Sequence, residues 1–223
     1  MVLTRPGLAD LVTAIDVSRR IYRRMLTYTL NKIVKTVEMA VFLSVGVMVT
    51  GTFVITPSLI VLLLFTNDFV TMAIATDRAP AWPAPVRWRV RAMVLAASLL
   101  AVAVLVLSFS VFFVGRDVLH LPLPQLQTLV FLMLVFSGQG LVYLVRSDGF
   151  FWQSRPSGWL LTASAVDIAA VSVLAANGVL MAPLSLTVVA ALLGLVLTYL
   201  ALLDLLKVPM FRALGFAPSH SRT

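Results

Sequence analysis

The chain has 223 residues, of which 61% are hydrophobic and only 12% charged, with a mean hydropathy of +1.03. An average soluble domain is about 45–50% apolar and about 25% charged, and a small domain has too much surface for its volume to hide this excess, so soluble enzymes and nucleic-acid-binding modules are excluded. The formal net charge of +8 points to basic membrane flanks before it points to a nucleic-acid partner. There is no cysteine, and the two histidines, His120 and His220, stand far apart outside the apolar runs. That leaves no disulfide framework, no thiolate metal site and no catalytic histidine cluster.

Residues 1–30 carry Arg5, Asp10, Asp16, Arg19, Arg20, Arg23 and Arg24 and lack the apolar core of a signal peptide. Leu8, Leu11, Val12, Ile15, Ile21, Met25 and Tyr28 recur at helical spacing, which predicts an amphipathic cytoplasmic helix. No breaker separates it from the apolar run that follows, so it is expected to continue into the first span as a stalk. Arg19, Arg20, Arg23 and Arg24 are most simply a solvated face near anionic headgroups.

Residues 39–67, 92–115, 118–145 and 168–203 are uncharged. Thr50, Gly51, Thr52, Thr56, Pro57 and Ser58 in the first of these read as a turn. Two spans must therefore share a stretch too short for both, since each needs about 20 residues. The first extends back past Glu38 and the second forward past Asp68, which puts both carboxylates inside the bilayer. At about 1.5 Å per residue, Glu38 lies roughly 18 Å from Thr50, and Asp68 roughly 15 Å from Ser58. The two side chains are expected at similar, mid-membrane depth.

The predicted fold is all-α: a polytopic bundle of six transmembrane helices at about 31–50, 57–76, 92–114, 124–145, 158–176 and 184–204. A stalk (1–30) precedes this membrane domain (31–204), and a tail (205–223) follows it. Sixteen of the seventeen Lys and Arg residues lie in or beside the N-terminal segment, the 77–91 and 146–157 loops and the tail; Arg116 alone falls on the opposite side. This bias predicts that both termini are cytoplasmic. Phe150, Trp152 and Trp159 read as interfacial aromatics.

A carboxylate at mid-membrane costs about 2.5–3.5 kcal/mol on insertion scales and commonly marks an ion or proton path. Asp68 is the leading candidate. Thr66 and Asn67 directly before it could add oxygen ligands or hydrogen-bond partners. Glu38 is a second candidate, although Lys35, one turn earlier, could hold it in a plain salt bridge. Asp167 in the fifth span is either a site or an interhelical hydrogen-bonding group. Gln139 lies among Ser137, Gly138 and Gly140, where small residues permit close helix approach; packing is its simpler role, and cation coordination the alternative. The expected ion-binding set is Asp68, Asn67, Glu38, Thr66 and Gln139, with no catalytic residue.

Four segments resemble the C-terminal membrane half of P-type cation-transporting ATPases, in particular the plasma-membrane proton-pump branch. They are Val2-Leu3-Thr4-Arg5-Pro6-Gly7-Leu8 followed by Ile15 and Ser18-Arg19-Arg20-Ile21-Tyr22-Arg23-Arg24-Met25; Asn67-Asp68 followed by Met72, Ile74, Asp77 and Arg78; Pro83, Pro85 and Trp88; and Gln139, Arg146, Arg155 and Pro156. Together they run from about residue 2 to about 205. The resemblance implies that the six spans are helices five to ten of a ten-helix transporter. It also implies that Asp68 holds the position of the sixth-helix carboxylate, a proton acceptor in proton pumps and a cation ligand in calcium pumps. Glu38 departs from the arginine that proton pumps place in the fifth helix, and Phe69 from their common glycine.

The family's phosphorylation motif D-K-T-G-T, its T-G-E-S and G-D-G-x-N-D motifs and its P-E-G-L helix do not occur in the sequence. This chain alone is therefore not expected to hydrolyse ATP. Mg-ATP would bind in the catalytic domains of a complete pump. The expected partners are a transported cation or proton, an N-terminal half carrying those domains, and the lipid bilayer of a plasma or bacterial inner membrane. The chain reads as a fragment, either a truncated gene product or one piece of a split pump. A stand-alone membrane protein with a structural, regulatory or passive ion-conducting role is the alternative.

Overall fold

The computed structural model describes residues 8–77, 90–147 and 149–213. Residues 2–7, Arg78, Pro83, Pro85, Trp88 and His220, singled out above, lie outside the described residues. Six helices follow one another: α1 (Leu8–Thr50), α2 (Pro57–Ala73), α3 (Val90–Phe113), α4 (Leu123–Val145), α5 (Gly158–Asn177) and α6 (Leu186–Ala213). All six are long and apolar enough to cross a membrane, and among the described residues there is no strand. The chain is a multi-pass membrane protein.

Local chemistry accounts for the helix boundaries. α1 is one unbroken helix of 43 residues, so stalk and first span are continuous, as the lack of a breaker predicts. The turn after it is knotted by threonines: Thr50 Oγ1 donates to the Gly46 carbonyl at 2.7 Å. Thr56 then caps α2 by accepting from the Leu59 amide at 3.3 Å, with Pro57 at the first helical position, where its missing N–H has no cost. Ser157 caps α5 in the same way through the Leu160 amide at 3.2 Å. α6 runs past 204, where the tail was expected to begin, to Ala213. Packing extends it, because Lys207 and Phe211 are fully buried within the bundle.

α4 is the hub. It packs against each of the other five helices, and Val130 to Phe136 are 0–1% exposed at every position, so it is enclosed on all sides. α1 packs mainly on α3, α2 on α4 and α5, and α6 on α4. The α1–α3 seam is aromatic, with the Phe42 ring 5.1 Å from Phe109 and 6.1 Å from Phe112. Lipid removes the hydrophobic drive between helices, so such packing and interhelical hydrogen bonds hold the bundle.

Both ends are tied by polar contacts. At the basic end, Asp77 accepts from Arg146 Nε at 3.0 Å and from the Ser157 amide at 3.0 Å, and its carbonyl accepts from Arg24 Nε at 2.8 Å. This one knot gathers α1, α2, α4 and α5. At the opposite end, Gln127 donates to the Phe53 carbonyl at 2.7 Å and Gln125 to the Pro183 carbonyl at 3.1 Å. The helices thus alternate in direction across the bundle.

Candidate cation site

Glu38 is completely buried. Its Oε2 accepts from Lys35 Nζ at 2.8 Å, and its Oε1 from Ser108 Oγ of α3 at 3.0 Å and Ser137 Oγ of α4 at 3.2 Å. Lys35 Nζ also donates to the Leu134 carbonyl at 2.8 Å and to Ser137 Oγ at 3.2 Å. An ammonium has three donors, and all three are used. The i,i+3 salt bridge foreseen from the spacing is present, and it sits inside a polar junction of α1, α3 and α4. Burying such a pair is tolerable only because every donor and acceptor finds a partner.

α2 meets this junction at Gly138. A Cβ built there would lie 2.6 Å from Asn67 Oδ1 and 2.9 Å from Lys35 Cε, so only a residue without a side chain lets Asn67 and Lys35 approach the same face of α4. Asp68, the next residue on α2, points away from the junction. Its Oδ1 contacts Lys32 Nζ at 2.5 Å, and the Asp68 and Lys32 side chains are 62% and 36% exposed. Glu38 and Asp68 do not share a site: one is an internal, fully neutralised carboxylate, and the other stands on the outer α1–α2 face.

The remaining expected residues separate further. Thr66 is buried and donates back to the Leu63 carbonyl at 3.0 Å, a bond within its own helix. Gln139 Nε2 donates to Asp167 Oδ2 of α5, so these two residues form an interhelical pair away from the junction. Gln139 Oε1 is buried without a partner among the described residues, as is Asn31 Oδ1 on α1. No group of three or more His, Asp and Glu side chains converges among the described residues.

Several polar groups escaped the reading of the sequence. Ser108 is an unremarkable serine in an apolar run, and nothing local marks it as a Glu38 ligand. Asp204 and Lys207 form a second buried pair at 2.6 Å, with Lys207 also donating to the Leu144 and Gly149 carbonyls at 2.8 and 2.9 Å. Their i,i+3 spacing, the same as that of Lys35 and Glu38, was the available signal.

Charged side chains inside membrane-spanning helices are rare and commonly mark an ion path. Sequence relatives agree. The chain is 32% identical over 185 residues to a Methanocaldococcus jannaschii protein described as a cation-transporting ATPase, covering 82% of this chain and 23% of that protein. It is 28% identical over 176 residues to a plasma membrane ATPase of Kluyveromyces lactis (76% of this chain, 19% of that protein). It is also 28% identical over 177 residues to one of Neurospora crassa (76% and 19%). No protein-family model matches the chain. The chain is thus related to P-type cation-transporting ATPases over most of its length, and its six helices match a membrane-domain portion of such a pump. It spans about a fifth of the length of the curated relatives it matches.

Proposed function

We propose that this chain forms the ion path, helices five to ten, of an ATP-driven cation pump, and that Asp68 takes up and releases the transported ion. The observation that carries the proposal is the half-exposed Lys32–Asp68 pair on the outer α1–α2 face. Charges at this depth are costly against hydrocarbon and stable against protein or water, so that face suits a contact with further helices of a pump and an ion passing between them. Asp68 Oδ2 is left open by the Lys32 contact at Oδ1, while Asn67, its neighbour in sequence, turns to Gly138 at the junction. Glu38 is already neutralised by Lys35 and two serines, so it serves as a fixed internal counter-charge. With one open carboxylate on this face, a proton is the favoured cargo: protonation of Asp68 would release Lys32 and leave a neutral side chain.

ATP hydrolysis belongs to domains outside this chain, where Mg-ATP would bind. The continuous α1 would transmit their motion, since its Arg23 and Arg24 reach the Asp77–Arg146 knot. The test is ATP-driven proton uptake by the pump assembled from this chain and its catalytic half, in proteoliposomes. Asp68→Asn is expected to abolish uptake while the assembled protein still hydrolyses or binds ATP. Undiminished uptake by that variant overturns the assignment.

A further inference from the structure

A cleft of about 330 Å³ opens between α4, α5 and α6 near the basic end of the bundle. Its walls are apolar, formed by Leu161, Leu197, Leu200 and Ala201, and its rim carries Trp152 and Arg155. The rim belongs to the loop joining α4 to α5, and buried charges fix its backbone. Arg146 donates to the Ser154 carbonyl at 2.5 Å and the Arg155 carbonyl at 3.1 Å, and the Phe151 amide donates to Asp204 Oδ2 at 2.9 Å. Phe150 stacks on Trp152 with ring centroids 4.6 Å apart. The acidic group lining the cleft, Asp204, is spent on Lys207 and the Phe151 amide. The Arg155 guanidinium makes no hydrogen bond or ion pair with any described residue.

We infer that this cleft binds one anionic phospholipid, an acyl chain lying along Leu197 and Ala201 and the phosphate meeting Arg155 at the rim. Charge and depth both select that occupant. The walls offer nothing to a polar solute. An indole at the membrane–water boundary is the usual interfacial anchor, with its apolar body in the chain region and its N–H among the headgroups. A guanidinium with no partner among the described residues matches a phosphate in both charge and fork geometry. The site is separate from Asp68 and does not rest on the transport reading.

The test is native mass spectrometry of the full chain in mild detergent with equal amounts of phosphatidylglycerol and phosphatidylcholine. One phosphatidylglycerol adduct is expected to predominate. Arg155→Gln, at an exposed position, is expected to lower the preference for phosphatidylglycerol by roughly fivefold, the effect of one basic residue near an anionic surface. Ala201→Phe, which fills the cleft, is expected to remove the adduct, and an unchanged melting temperature shows that the bundle is intact. Inorganic phosphate is expected to leave the adduct in place. Equal retention of both lipids by the unaltered chain, an undiminished preference in Arg155→Gln, or displacement by inorganic phosphate overturns the proposal. So does a co-purifying transmembrane polypeptide in place of lipid.

Discussion

Lys35 and Glu38 show how a charged pair can be spelled out by spacing and yet take its meaning from elsewhere. The pair itself contributes little net stability, because desolvation offsets attraction. Removing one partner is another matter, since it strands a buried charge at a cost of about 3–5 kcal/mol. Lys35→Met is accordingly expected to destabilise the bundle by about that amount, and Lys35→Met/Glu38→Gln to recover most of the loss. Thermal unfolding in detergent micelles checks this; equal melting temperatures for the single variant and the unaltered chain would show that Glu38 is not held by Lys35. The pair was readable from three residues of spacing. Its serine partners were not, because Ser108 and Ser137 lie 70 and 99 positions from Glu38. Their placement depends on how α3 and α4 are rotated.

At the scale of elements, close approach to α4 organises the bundle, and glycine permits it. A Cβ at Gly140 would lie 2.2 Å from Leu200 Cδ1, so α6 packs directly on the α4 backbone there. Gly140→Leu is expected to push the two helices apart and cost about 1–3 kcal/mol, the usual penalty of overpacking. Gly158→Ala at the start of α5, where a Cβ meets open space, is expected to be neutral to slightly stabilising. Comparing the melting temperatures of the two variants checks the contrast. The Ser-Gly-Gln-Gly cluster at 137–140 did signal a packed helix face. It did not tell that Gly138 faces α1 and α2 and Gly140 faces α6, because successive positions point about 100° apart around a helix and only the neighbours identify each direction.

For the whole molecule, the outer surfaces differ in kind. The face of α5 exposes Val166, at 61%, among other apolar groups, whereas the α2 face exposes Met72, at 75%, one turn from Asp68. The first suits lipid and the second suits protein. The chain contains no cysteine, so a single introduced thiol reports its own position. A nitroxide attached at Met72→Cys is expected to be shielded from dissolved oxygen in the assembled pump and to become accessible when the catalytic half is omitted. One attached at Val166→Cys is expected to be accessible in both states. Equal oxygen accessibility at Met72→Cys in both states would show that this face lies against lipid.

Six spans, their turns, the placing of Glu38 and Asp68 within the first two spans and the basic flank of the bundle were all present in the order of residues. Each is a sum along the chain, of hydropathy over about 20 residues or of Lys and Arg between spans. The separation of the two carboxylates was not. Glu38 turns inward to a lysine and two serines and Asp68 outward to Lys32, although both lie on sequential helices. Gln139 reaches Asp167 rather than the junction one residue away. Depth follows from counting along a helix, but the facing of a side chain follows from helix rotation. Rotation is set by packing between segments remote in sequence, above all by the close contacts that α4 allows.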